Sequence, residues 1–202
     1  MKTIGFIGQA NRDKSYLMMY MGKILSQGGH VSLMTSDQWL MPELTTYEYN
    51  PNFLIGEIGP DVLASDYLLL DITDNCSLAL DLVVYVSGIE RNTVEINKKL
   101  FEAGNDAQAE IYIFQNVLMD GKINEKYLCL RLGISSKSHQ VMCQYLNDND
   151  LAVNIENGYN ERIHIKELSK GYKKLLLELT RSCSNAGMKT TKRWLKSAER
   201  SK

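Results

Sequence analysis

A short apolar run, Ile4-Gly5-Phe6-Ile7, leads directly into Gly8-Gln9-Ala10-Asn11-Arg12-Asp13-Lys14-Ser15, and a segment of helical period follows. No other stretch constrains the fold as much. The loop has the spacing of a phosphate-binding P-loop, G-x-x-x-x-G-K-[ST], but Asp13 stands where glycine is expected. Such loops join a strand to a helix and bind anions through successive backbone N–H groups and the positive helix N-terminus. In that role Lys14 reaches the β- and γ-phosphates, and the Ser15 hydroxyl holds Mg²⁺. Asp13 adds bulk and negative charge beside the anion. At about 4 Å a like-charge contact costs on the order of 1 kcal/mol in water-like surroundings and several at a partly buried site. Pairing with Lys14 or Arg12, or an outward orientation, would relieve it. The alternative is a strand–turn–helix that never meets phosphate.

The rest of the chain alternates in the same way. Strands are expected at Thr3–Ile7, His30–Met34, Tyr67–Asp71, Leu82–Val86 and Ile111–Phe114, with a short edge strand at Leu151–Ile155. Tyr67–Asp71 is nearly all apolar, as a parallel strand covered on both faces should be. Helices are expected at Lys14–Ser26, Asn92–Glu102, Glu125–Leu132 and Ile165–Arg181. Pro42, Pro51 and Pro60 place loop or irregular edge structure across Met41–Asp61. The alternation implies an α/β fold, a mostly parallel sheet flanked by helices. Ligands of such sheets lie at the carboxyl ends of the strands, where Gly8 and Asp71 both fall.

The 202 residues suffice for one domain with a core, and 23 basic against 24 acidic residues give a net charge of −1. That balance gives no whole-molecule attraction to nucleic acid or anionic membrane. The N-terminal apolar run is too short for a signal peptide, and no stretch is apolar for the length of a membrane span. Cys76, Cys129, Cys143 and Cys183 form no C-x-x-C pair, which suits reduced thiols in a cytoplasmic protein. His30, His139 and His164 stand alone, so no metal ligand set is expected.

The order of these motifs resembles the MinD/ParA group of deviant P-loop ATPases over roughly residues 1–180. The group's loop reads K-G-G-x-G-K-[ST]. A strand ending D-x-D follows, then a D-Y-x-x-x-D-x-x strand, a strand leading to a switch helix, and a strand ending in Asn. The matching stretches here are Gln9–Ser15, Val31–Asp37, Asp66-Tyr67-Leu68-Leu69-Leu70-Asp71-Ile72-Thr73-Asp74, Leu82–Ser87 with Asn92-Thr93-Val94, and Tyr112–Asn116. The resemblance implies a P-loop NTPase-like fold, ATP and Mg²⁺ as ligands, and a homodimer. Nucleotide contacts would come from Gly8, Gln9, Ala10, Asn11, Arg12, Asp13, Lys14, Ser15 and, near the base, Asn116. Ser15 and Asp71 would hold the metal, Asp71 through water.

The departures are systematic. Gln9 replaces the group's signature lysine. Ala10, Asn11 and Asp13 replace loop glycines, and Thr35 replaces the first Asp of D-x-D, leaving Asp37. Phosphoryl transfer depends on electrostatic positioning, so these losses should strongly impair hydrolysis. The pattern is similar to the degenerate TadZ/CpaE-type proteins of pilus and secretion loci. That resemblance implies a cytoplasmic regulatory or localisation factor, a pseudo-ATPase with protein partners in a larger assembly. An active ATP-hydrolysing member is the first alternative, and a ligand-free α/β interaction adaptor the second.

Residues 1–182 are read as the P-loop domain and 183–202 as a basic tail. Lys189, Lys192, Arg193, Lys196, Arg200 and Lys202 face the single acid Glu199, with Trp194-Leu195 between them. Lys192, Arg193, Trp194 and Lys196 are the candidate contacts to partners or to the inner membrane surface. The apolar side is sparse, so a solvated terminus is the competing expectation.

Overall fold

The computed structural model describes residues 1–35, 47–56, 65–74, 79–103, 109–160 and 162–201. Among them lie the strands β1 (Lys2–Ile7), β2 (Val31–Met34), β3 (Tyr47–Asn50), β4 (Phe53–Gly56), β5 (Tyr67–Ile72), β6 (Leu82–Ser87), β7 (Glu110–Val117) and β8 (Gln140–Tyr145). The helices are α1 (Arg12–Leu25), α2 (Arg91–Glu102), α3 (Glu125–Leu132), α4 (Asp148–Asn160), α5 (Lys170–Ser184) and α6 (Met188–Arg200). The strands form one sheet in the order β3-β4-β2-β5-β1-β6-β7-β8. Every pairing is parallel except β3 with β4.

Alternation along the central strands builds both faces. Ile4 and Phe6 of β1, Val84 and Val86 of β6, and Ile111 and Ile113 of β7 bury against α1 and α5. Ile7, Val83, Tyr85 and Tyr112 point the other way. Phe114 joins Val94 of α2 with Leu128 and Leu132 of α3 on that side. α1 is covered by the sheet on one side and by α5 and α6 on the other, so it is buried over most of its circumference. Its expected stripe of Leu17, Met21, Ile24 and Leu25 is fully buried.

Two expectations need correction, the strand at Leu151–Ile155 and the solvated tail. Leu151–Ile155 lies inside helix α4. Asn147 opens that helix by accepting the backbone N–H groups of Asn149 and Asp150. β8, which forms the edge of the sheet instead, carries no clear alternation in sequence. The proline-bearing stretch contains the β3–β4 hairpin, with Pro51 in its turn. The basic tail is not a solvated end: α6 buries Thr191, Leu195 and Ala198, and the Trp194 ring lies against Gly28.

One buried cation gives this packing a pH signature. Lys23 of α1 is 1% exposed, and its Nζ donates to the carbonyls of Ile163 at 2.6 Å and Ser201 at 3.0 Å. Burial pulls its pKa down to about 8 from the ordinary 10.5. The unfolded chain therefore holds more protons between those values, and stability attributable to Lys23 rises with pH across that window. The full gain is roughly 3 kcal/mol. Denaturant unfolding of Lys23→Met should lack this rise when compared with the unmodified protein at the same pH values.

Candidate functional site

The site lies at the carboxyl end of β1, where Gly8 leaves the sheet between β5 and β6. Gly8 N–H donates to the Ile72 carbonyl at 3.1 Å. A side chain at Gly8 would overlap the Val86 carbonyl oxygen, so this position needs the close approach that only glycine allows. Gln9 N–H donates to Asn97 Oδ1 at 2.6 Å. Asn97 comes from α2, is fully buried, and donates to the Val86 carbonyl at 3.2 Å and Ser87 Oγ at 3.0 Å.

The N-terminus of α1 is capped from within the loop. Asn11 has extended backbone angles, and its Oδ1 accepts the Lys14 N–H at 2.8 Å. Its carbonyl accepts the Ser15 N–H at 3.2 Å and the Ser15 hydroxyl at 3.2 Å. Ala10 is exposed. Arg12 leans over the Tyr16 ring and donates to its hydroxyl at 3.2 Å.

Lys14 is fully buried. Its Nζ lies 2.7 Å from Asp71 Oδ1 and donates to the Gly8 carbonyl at 2.6 Å. The Ile72 carbonyl accepts a longer bond at 3.4 Å. The other Asp71 oxygen accepts the Thr35 hydroxyl at 2.8 Å. Two residues expected on phosphate and metal therefore engage each other, and Thr35 completes their arrangement.

Asp13 pairs with neither lysine nor arginine directly. Its Oδ2 accepts Asn116 Nδ2 at 2.6 Å. Burial pushes its pKa above the usual carboxylate range. The Asn116 bond opposes that rise, Glu90 adds to it, and Asn154 and Arg12 pull it down. Asn116 takes a left-handed backbone, φ 58°, at an irregularity in β7.

The structure thus brings Gly8 through Ser15, Asp71 and Asn116 together. Lys192, Arg193, Trp194 and Lys196 belong to α6, and Trp194 packs at the far end of α1, about 20 Å of helix away from the loop. Asp37 falls outside the described residues. Asn97 and Asn154 escaped the sequence reading. The signal for Asn97 was its place three residues after Val94 on the buried side of α2. No group of three or more metal-ligating side chains occurs among the described residues, and no helix there is long and apolar enough to cross a membrane.

No protein-family model matches the chain, and no curated protein matches its sequence. Solved structures do match its shape. A ParA family ATPase from Chlorobium tepidum TLS aligns at TM-score 0.55 and 11% identity over 98% of this chain and 97% of that one. A putative plasmid partition protein from Borrelia burgdorferi B31 bound to AMPPNP gives 0.57 and 11% over 90% and 99%. The chain has the MinD/ParA fold. The septum site-determining protein MinD with Mg-ADP from Pyrococcus horikoshii OT3 agrees, at 0.55 and 11% over 88% and 95%. Identities this low speak for the MinD/ParA fold and leave chemistry to the residues of this chain.

Proposed function

We propose that this MinD/ParA-fold chain is a regulatory or localisation factor for a larger assembly of pilus or secretion type, acting through protein contacts without ATP turnover. One observation carries the reading: several of the loop's phosphate-binding groups are engaged internally. Gln9 and Lys14 N–H groups meet side-chain carbonyls of Asn97 and Asn11, and Lys14 Nζ meets Asp71. As arranged, these residues do not fit a magnesium nucleotide. Admitting one would part the buried Lys14–Asp71 ion pair. It would also set triphosphate beside the Asp13 carboxylate.

A surface for protein contact lies beside the loop. α4 turns polar side chains inward: Asp150, Asn154 and Asn157 are buried together with Val153, while Leu151, Ile155 and Tyr159 are 49%, 39% and 85% exposed. Leu146 continues this apolar surface, and its N–H bonds the Val117 carbonyl next to exposed Leu118. An exposed patch of this kind marks an interaction site. A second copy of the chain is its proposed occupant, giving a homodimer. The outward side of α6 carries Lys189, Lys192, Arg193, Lys196 and Arg200. With its apolar side turned into the protein, α6 offers an anionic surface only electrostatic contact, about 1 kcal/mol per basic residue.

Two measurements test the proposal. Purified protein should release phosphate from ATP no faster than buffer. Steady hydrolysis lowered at least about tenfold by Ser15→Ala, a barrier change of about 1.4 kcal/mol, would instead favour the active ATPase. Light scattering should find a dimer that Ile155→Glu converts to a monomer, and a monomeric unmodified protein would remove the second copy from the proposal.

A further inference from the structure

We propose that Asp13 is a built-in anion: its carboxylate supplies at the first turn of α1 the negative charge that a phosphate supplies to a loop of this spacing, and fastens the loop to β7. The inference rests on the nucleotide-independent reading above and says what fills the loop in the nucleotide's stead.

Three observations converge on that carboxylate. It lies in the first turn of α1, where the helix dipole favours negative charge. It accepts Asn116 Nδ2 at 2.6 Å across 103 residues of sequence. Asn116 reaches it because β7 bulges there: Gln115 and Asn116 together stand opposite Gln144 of β8.

The third observation is the direction of a hydrogen-bond chain. Asn157 Nδ2 donates to the Tyr20 hydroxyl at 3.0 Å. Tyr20 donates in turn to Asn154 Oδ1 at 2.6 Å. With its carbonyl oxygen occupied, Asn154 keeps only amide N–H groups, and beside Asp13 it favours the charged carboxylate. The Asn157 carbonyl oxygen is fixed by the His164 N–H at 2.9 Å, which sets its amide orientation. Donors therefore run from α4 through α1 to Asn154, beside one acceptor-only group. Bonds linked in one direction polarise each other, so the chain opposes the upward shift that burial gives the Asp13 carboxyl group. A solvated first-turn aspartate placed only for the helix dipole would need none of this. Glycine at this position, as the motif demands, would leave the Asn116 donor facing the loop without this acceptor. An external oxyanion would supply it.

The test is calorimetric titration of the full chain with inorganic triphosphate, without metal, on the unmodified protein, Asp13→Gly and Asp13→Asn. Asp13→Asn keeps an acceptor for Asn116 and removes only the charge, so it stays informative if Asp13→Gly fails to fold. The unmodified protein should show no saturable binding up to millimolar triphosphate. Removing the like charge should tighten binding at least about tenfold in either folded variant. Folded variants that bind no better than the unmodified protein overturn the inference and leave the nucleotide-independent reading standing. Tight binding by the unmodified protein, with the variants unchanged, overturns both.

Discussion

Replacing Lys14 with alanine is expected to lower unfolding free energy by about 3–5 kcal/mol, because it leaves the Asp71 carboxylate buried without its cation. In a loop whose lysine faces a ligand, the same change would fall mainly on binding. Here Nζ is enclosed by Asp71 and the Gly8 carbonyl, so the loss falls on the fold. Equilibrium denaturation measures it directly. A paired replacement gives the sharper result. Lys14→Met with Asp71→Leu removes both charges, and apolar replacement of a buried pair is often neutral. The double variant should recover at least half of the loss seen in Lys14→Met alone. Single-variant losses below about 1 kcal/mol would mean that the pair is solvated and that Lys14 is available to a ligand.

Gly8→Ala is expected to destabilise the chain by about 3 kcal/mol, a fall in Tm on the order of 10 °C for a protein of this size. The added methyl overlaps the Val86 carbonyl oxygen, which is backbone in a central strand and has little room to move. The overlap would also push the loop away from Asn97, which holds both the Gln9 N–H and the Val86 carbonyl. Gly187→Ala is the control, since nothing lies near an added methyl there. Thermal unfolding should move for the first variant and stay nearly unchanged for the second. Equal small shifts would show that β1 and β6 can separate at their carboxyl ends.

Much of the architecture was legible because most of its strands and helices carry their period openly. The apolar runs at β1, β5 and β6 and the stripe of α1 mark core faces without ambiguity. α4 reads wrongly for a physical reason. Its buried side is Asp150, Asn154 and Asn157 with Val153 alone apolar, and its exposed side carries Leu151, Ile155 and Tyr159, so most of its hydrophobicity points outward. Only the helical spacing of its polar residues and the capping Asn147 betrayed it. The tail misled in the opposite sense. Thr191, Leu195 and Ala198 are too few to announce a packed face, yet small residues let α6 sit close against α1 and α5.

The site was legible as a list of residues but not as a set of bonds. Asp13 and Asn116 each stood out in the sequence, one as an obstacle and the other as a base contact. Their hydrogen bond depends on a bulge in β7 that no local pattern encodes. Lys14 and Asp71 likewise look like separate ligands for phosphate and metal. Their separation of 2.7 Å follows from the parallel register of β1 and β5, which sets Phe6 beside Asp71 and Ile7 beside Ile72.

Amide hydrogen exchange across Gly8–Ser15 reads whether the loop is closed by acceptors within the chain. The Gly8, Gln9, Lys14 and Ser15 amides should be protected in the protein alone, as their internal acceptors require. Millimolar MgATP should leave that protection unchanged. Fast exchange in the protein alone, slowing when MgATP is added, would contradict the account and mark the loop as a working nucleotide site.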